Sequence, residues 1–274
     1  MHYDPIKHSL GNIFNKSPFL RKLFYNLLDI LLLRSWHIHK EIRSIKTILS
    51  KEEVKILDAG SGFGQYTYWM SNKNPKAKIL SVDVKEEQVA DCNNFFQKIG
   101  KKNVRFEVAD LTKFIHKNEF DFVLSVDVME HILEDVLVFK NLHASLKEES
   151  VLLISTPSDQ NDSDMHTSNK NESTENSFVE EHVRNGYNIK EIEDKLKSAG
   201  FSKVEARFSY GIPGKISWRL SMKYPMQMLS VTKLFFILLP FYYIITYPIS
   251  YILNYFDTIL THKTGTGLIV KAWK

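Results

Sequence analysis

From residue 53 to residue 210, short apolar runs alternate with segments of helical spacing, and this alternation restricts the fold more than any other feature of the chain. VKILDAG, AKILSVDV, NVRFEVAD, FDFVLSV and SVLLIST read as strands. Between them the residues from Gln65 to about Asn74, EEQVADCNNFFQKIG and EHILEDVLVFKNLHASLK read as helices. Strands that are apolar nearly throughout are buried on both faces, and connections of helix length make successive strands parallel. The pattern resumes with the helix YNIKEIEDKLKSAGF and the strand SKVEARFSY, and GTGLIVKAWK reads as one further short strand.

Three segments fall outside this pattern. Ser17-Pro18 has the form of an N-cap followed by a first helical residue, and FLRKLFYNLLDILLLRSWHIHKEIRSIKTIL after it has helical apolar spacing. Residues 27–33 are apolar nearly all round, so this helix is buried, partnered or membrane-facing. Pro157 opens the polar tract PSDQNDSDMHTSNKNESTENS, which has too little apolar surface to bury itself and reads as a mobile loop or lid. The third is LFFILLPFYYIITYPISYIL, residues 234–253, which contains no charged residue and no histidine.

Charge is distributed unevenly. Residues 1–50 carry a net +5, residues 51–202 a net −8 and residues 203–274 a net +7. An acidic middle argues against nucleic-acid binding, which needs basic surface at the site. The basic ends also hold the longest apolar runs, a combination suited to an anionic membrane surface. The single cysteine, Cys92, excludes an intramolecular disulfide and fits a reducing compartment. The opening MHYDPIKHSLGNIF lacks the basic stretch and apolar core of a secretory signal.

ILDAGSGFG, residues 56–64, places glycines at 60, 62 and 64 between a strand and a helix. Glycine lets the backbone turn sharply there and approach a ligand closely, with helix N–H groups facing it. Position 65 is Gln, so the spacing departs from G-x-G-x-x-G, and a tight turn without a ligand would use the same glycines. Asp83 ends the next strand, where a carboxylate can accept both ribose hydroxyls, and Asp110 ends the third.

ILDAGSGFG, Asp83 in SVDV, Asp110 in VADL, FDFVLSVDVMEHI and VLLISTP together resemble the successive motifs of class I S-adenosylmethionine-dependent methyltransferases. They are most similar to the branch with ubiquinone/menaquinone and other lipid or small-molecule methyltransferases. The resemblance covers about residues 53–210 and the final strand. It implies an α/β, Rossmann-like doubly wound seven-stranded sheet whose last strand is antiparallel. A helical cap (1–50) would precede a cofactor-binding domain (51–211 with 263–274), and an apolar, basic helical insert (212–262) would interrupt it.

The same resemblance implies roles for single residues. Gly60, Gly62 and Gly64 would pass under the methionine part of S-adenosylmethionine, with Asp58 near its amino group. Asp83 with Val84 would hold the ribose, Asp110 with Leu111 the adenine, and Ser125 and Val126 would line the sulfonium side. Asp127 stands where the branch often has Glu. A hydroxyl or phenol-type carbon acceptor needs a base, for which His131 and His182 are the candidates; helix packing beside the sheet accounts for His131 as well as catalysis does, and an exposed loop position accounts for His182 more readily than an acceptor-side role. Tyr187 and Arg184 follow the polar tract, and Trp36, His37 and His39 precede the first strand, where either acceptor contact or simple packing is expected. No cysteine–histidine set has metal-ligand spacing.

Position in the sheet constrains the insert. A single membrane crossing between the last two strands would put the final strand on the wrong side, so the segment must return as a hairpin, a re-entrant loop or an interfacial helix. Pro240 and Pro248 are expected to break it into short pieces. Lys215, Arg219 and Lys223 form a basic stripe ahead of it, and Tyr242, Tyr243, Tyr247, Tyr251 and Tyr255 suit a headgroup boundary. A buried subdomain packed on residues 19–33 is the alternative. The expected function is methyl transfer to a lipophilic or membrane-associated acceptor by a cytoplasmic enzyme held peripherally on an anionic membrane. The alternatives are a soluble enzyme whose insert is a lid or dimer contact, and a non-catalytic binding or scaffold protein.

Overall fold

Among the described residues seven strands make one sheet: β1 Lys55–Ala59, β2 Lys78–Asp83, β3 Val104–Val108, β4 Phe120–Val126, β5 Leu146–Pro157, β6 Lys203–Ser209 and β7 Gly267–Trp273. The computed structural model describes residues 17–160, 183–232 and 234–274. Across the sheet the order is β3-β2-β1-β4-β5-β7-β6. All neighbours run parallel except β7, which is antiparallel to both β5 and β6 through pairs such as Leu153–Lys271 and Glu205–Lys271. This is the doubly wound sheet with an antiparallel last strand that the motifs imply.

Alternate residues of the central strands serve opposite faces. Leu57, Val123 and Leu152 pack with α6 (Asp135–Ser145) and α7 (Ile189–Ser198), while Ile56, Phe122, Leu124 and Leu153 pack with α2 (Leu33–Ser44) and α4 (Gln65–Lys73). A third cluster joins α1 (Pro18–Leu31) to α5 (Glu86–Lys98) through Tyr25, Phe95 and Phe96. Ser17 caps α1 by accepting from the Leu20 N–H at 3.2 Å. The expected single helix of residues 18–49 is instead three, with α3 (Lys46–Leu49) the last. Leu32 takes an extended backbone, φ −85° and ψ 112°, which turns α2 back over the sheet. No glycine or proline marks the break; long-range packing sets it, with Leu33 buried against Gly214.

His39, on α2, lies buried with its ring stacked on Trp69, centroids 3.9 Å apart. Burial, assisted by the charges of Arg43 and Lys73, lowers its pKa to about 3. The folded protein thus holds His39 neutral, and the stability this provides is complete above the unfolded pKa of about 6.5 and lost as pH falls towards 3. Between pH 6 and 4 the unfolding free energy drops by about 1.4 kcal/mol per pH unit more in the wild type than in His39→Gln. Parallel slopes in urea titrations of the two proteins over that range would show that His39 is not the titrating group.

The insert is a helical hairpin. Its outgoing arm is α8 (Ile212–Trp218), a π-helical segment (Arg219–Lys223) and α9 (Tyr224–Val231); its return arm is α10 (Phe235–Ile259), which leads back to β7. Small residues of the outgoing arm, Gly214, Ser217 and Ser221, are buried, which lets the backbones approach. Ser217 Oγ donates to Asn254 Oδ1 at 2.6 Å. Pro225 has no N–H to give to the carbonyls one turn earlier. Two tyrosines from α10 supply the donors instead: the Tyr242 hydroxyl bonds Leu220 O at 2.7 Å and the Tyr243 hydroxyl bonds Ser221 O at 2.8 Å.

Pro240 and Pro248 do not break α10, which runs through both for 25 residues. Both prolines lie on the exposed side, as do Phe236 and Ile244, whose carbonyls they leave without a helical donor. The polarity of α10 is inverted: the residues it buries are Ser250, Asn254, Asp257 and Thr258. Its exposed residues include Phe236, Ile237, Phe241, Ile244, Ile245, Ile249 and Ile252. The helix is long and apolar enough to cross a membrane, yet only 6% of its most apolar 18-residue stretch is buried. The hairpin touches the N-terminal helices at Ile30 and Leu33, but that contact leaves the apolar side of α10 exposed.

Candidate active site

The glycine turn sits where the chain reverses its order across the sheet, with β2 on one side of β1 and β4 on the other. Gly60, Gly62 and Gly64 all have left-handed backbone, with φ of +85°, +51° and +83°. The N–H groups of Gly60 and Ser61 both donate to Val82 O at 2.9 Å, which ties the turn to β2. A Cβ on Gly60 would stand 2.2 Å from Val128 Cγ2, whereas one on Gly62 would meet nothing within 4 Å. The turn is thus packed on one side and open on the other.

Asp83 closes this arrangement. Its carboxylate accepts from Gly62 N–H at 2.8 Å and Lys85 N–H at 3.0 Å. Asp58 is buried beneath the turn and accepts from Thr67 Oγ1 at 2.5 Å. Burial, with Asp83's charge adding to it, pushes the Asp58 carboxyl up to about 7. Asp110 is half exposed; hydrogen bonds from the Thr112 side chain and backbone hold its pKa below the usual carboxylate value. Val84 is exposed and Leu111 buried. Ser125 and Val126 are buried at the end of β4. The hydroxyls of Ser61 and Ser125 are buried without a hydrogen-bond partner among the described residues.

Beyond β4 stands a cluster that sequence reading largely missed. Asp127 is ion-paired with Arg34 of α2, whose backbone N–H donates to the Tyr210 hydroxyl at 3.1 Å. Asp127 and Tyr210 directly follow β4 and β6, and each is a non-glycine residue with left-handed backbone, φ +52° and +56°. Such strain persists where surrounding contacts impose it, and it gathers at functional sites. Glu130 lies behind Asp127 and accepts from Thr156 Oγ1 at 3.0 Å. Burial first, then Asp127's charge, pushes Glu130 up to about 8.

His131, a candidate base, is half-buried in a single 3₁₀ turn, Met129–His131, directly after β4, where a continuous helix from Glu130 was expected. His182 lies outside the described residues. Arg184 pairs with Asp135 at 2.7 Å and donates to Ile132 O at 2.9 Å. Tyr187 is fully enclosed, its hydroxyl 2.7 Å from Asp135 Oδ2 and 3.1 Å from Met129 O. These two residues pin the chain to the β4–α6 connection. Trp36 donates to Ile30 O at 3.0 Å and meets Tyr251 edge-on. His37 is fully buried between Asp257 at 2.9 Å and Arg207 at 3.1 Å. The structure gives Tyr187 and His37 structural partners in place of an open face.

Residues 50–200 match a family described as a methyltransferase domain. The chain belongs to this family, the S-adenosylmethionine-dependent class I methyltransferases. It is 28% identical to malonyl-[acyl-carrier protein] O-methyltransferase of Bacillus anthracis over 119 residues, 43% of each protein. It is 31% identical to phosphoethanolamine N-methyltransferase 1 of Arabidopsis thaliana over 157 residues, 56% of this chain and 29% of that one. The matched part is less than half the length of these curated relatives. The solved structure of Haemonchus contortus phosphoethanolamine N-methyltransferase 2 with S-adenosyl-L-methionine superposes with a TM-score of 0.55 at 17% identity, covering 86% of this chain and 52% of that one. At that identity the likeness shows the fold alone.

The residues present fit S-adenosylmethionine. Open space over Gly62, an acceptor carboxylate at the end of β2 and two orphaned buried hydroxyls are the features that an amino-acid-plus-ribose ligand would satisfy. Gly60, Gly62, Gly64, Asp58 and Asp83 would hold its polar parts.

Proposed function

We propose that this chain transfers a methyl group from S-adenosylmethionine to a lipophilic small-molecule acceptor, working peripherally on the cytoplasmic side of an anionic membrane. The cofactor supplies an electrophilic methyl on a cationic sulfonium. The chain's own residues supply placement: the glycine turn and Asp83 fix one reactant, and the Arg34–Asp127–Tyr210 cluster at the ends of β4 and β6 orients the other. Where the acceptor is a hydroxyl or an activated carbon, His131 or His182 takes its proton.

One observation carries the lipophilic half of this reading, the inverted polarity of α10. A helix exposing isoleucines and phenylalanines while burying Ser250, Asn254 and Asp257 is arranged for apolar surroundings. Its contact with the outgoing arm, through small residues and polar side chains, is the packing used between helices in lipid. The hairpin leaves and rejoins the same sheet, so it enters or lies on one face of a bilayer. The basic residues Lys215, Arg219 and Lys223 on the outgoing arm suit anionic headgroups.

Flotation with vesicles of mixed phosphatidylglycerol and phosphatidylcholine tests attachment: the protein is expected to rise with them, more completely at low salt than at high. Sedimentation under both conditions, with light scattering showing a stable dimer, would transfer the exposed face of α10 to a second copy. Comparative lipid and metabolite mass spectrometry of cells with and without the gene is expected to show an apolar pair differing by one CH₂.

A further inference from the structure

Helix α1 has two different faces. Phe19, Leu23, Leu27 and Ile30 recur at helical spacing along one side, and all four are exposed. On the opposite side Arg21 and Tyr25 are buried, and both are bonded to one backbone atom, the carbonyl oxygen of Phe63. Phe63 stands between Gly62 and Gly64, in the middle of the cofactor turn. Arg21 reaches it at 3.0 Å while also pairing with Asp91 and lying 4.5 Å over the Phe95 ring. One turn further along, Asp29 accepts from Gln65 Nε2 at 2.8 Å, so α1 grips both the turn and the first residue of α4.

The exposed side of α1 is continuous with the apolar surface of the hairpin. Tyr247 of α10 reaches the Ile30 carbonyl at 3.3 Å, and Trp36, bonded to the same carbonyl, packs against Tyr251. The two segments that hold this surface, residues 1–50 and 203–274, are the net basic ones. An anionic lipid surface is the partner that matches both properties.

Resting on the membrane reading above, we propose that α1 couples the bilayer to the cofactor site, so that lipid surface and S-adenosylmethionine each raise the protein's affinity for the other. A helix of 14 residues is marginally stable by itself and depends on what its faces bury. Water meets the outer stripe when the protein is free; lipid covers it when the protein is docked. Lipid then favours the docked helix, and the docked helix is the state in which two side chains hold the Phe63 carbonyl and keep the turn open over Gly62. A ligand shifts such an equilibrium by its differential affinity for the two states, and the shift is reciprocal.

Calorimetric titration of S-adenosylhomocysteine into the 274-residue protein, with and without phosphatidylglycerol/phosphatidylcholine vesicles, tests the coupling. Affinity is expected to rise about tenfold on vesicles, within the usual range for coupled sites. In flotation, saturating S-adenosylhomocysteine is expected to lower the lipid concentration needed for half-binding by the same factor. The double variant Leu23→Gln/Leu27→Gln retains the affinity in buffer and still floats through the hairpin, but loses the enhancement. Equal affinities with and without vesicles, for protein that floats, would overturn the coupling and leave the membrane reading standing. Undiminished enhancement in the double variant would overturn the role of α1. Protein that does not float at all removes the membrane reading and this inference with it.

Discussion

Gly60→Ala lowers the affinity for S-adenosylhomocysteine by about 100-fold while the protein remains folded. Two effects add at this position. Left-handed backbone at φ +85° costs a residue with a Cβ about 1–2 kcal/mol. The new Cβ would also lie 2.2 Å from Val128 Cγ2, and a β-branched side chain has little rotamer freedom with which to retreat. The turn must therefore shift, which pulls the Gly60 and Ser61 N–H groups away from Val82 O. A combined loss of about 3 kcal/mol corresponds to two decades of affinity. Adding Val128→Ala removes the two Cγ contacts, leaving a tight 3.1 Å approach to the Cβ of residue 128 and the backbone strain, and recovers about tenfold. Gly62→Ala, whose Cβ meets no protein atom but enters the open space assigned to the cofactor, adds that intrusion to the strain and loses at least about tenfold. Wild-type affinity in calorimetry of Gly60→Ala would mean that this turn is not the cofactor's cradle.

These effects depend on a turn that is readable in the sequence alone, because glycine's conformational freedom leaves a mark at fixed positions. The strands are readable for a related reason: a strand buried on both faces has to be apolar throughout. The order of the strands is not in the periodicity and comes from the resemblance of the motifs. The break at Leu32 has no local signal, since tertiary packing alone turns the backbone there. The Arg34–Asp127–Tyr210 cluster joins residues far apart in sequence, and only the sheet brings them together. At Pro240 and Pro248 the helix-breaking tendency of proline is overridden, because a proline on an exposed helix face removes one donor without displacing a packed neighbour. The inversion of α10 has a signal in the sequence: Ser250, Asn254 and Asp257 follow each other at helical spacing at the end of the apolar run. A polar stripe on an apolar helix marks the side that faces the protein.

Asp257, at the inner end of that stripe, fixes the hairpin to the sheet, and Asp257→Ala is expected to destabilise the protein by about 3–5 kcal/mol. Its carboxylate is fully buried and accepts from Tyr210 N–H at 3.1 Å and Gly214 N–H at 2.9 Å. His37 Nε2 lies 2.9 Å from one oxygen and His262 Nε2 3.2 Å from the other. Alanine leaves the buried Gly214 N–H and the part-buried Tyr210 N–H without this acceptor, and His37 facing Arg207 without its counterpart. At about 2–4 °C per kcal/mol for a chain of this size, the melting temperature falls by about 10 °C. Asp257→Asn retains an acceptor and falls by less. Gly214→Ala approaches the same loss from the other side, because its Cβ would lie 2.5 Å from Asp257 Oδ2. Alanine at 257 loosens the hairpin from the sheet, so proteolysis at residues 210–214 and 260–265 should accelerate in this variant, while affinity for S-adenosylhomocysteine in the folded fraction stays near wild type. A variant within about 1 kcal/mol of wild type, below the range for breaking a buried charged group's partners, would place the attachment of the hairpin elsewhere, in the Ser217–Asn254 seam and the Tyr242 and Tyr243 hydroxyls.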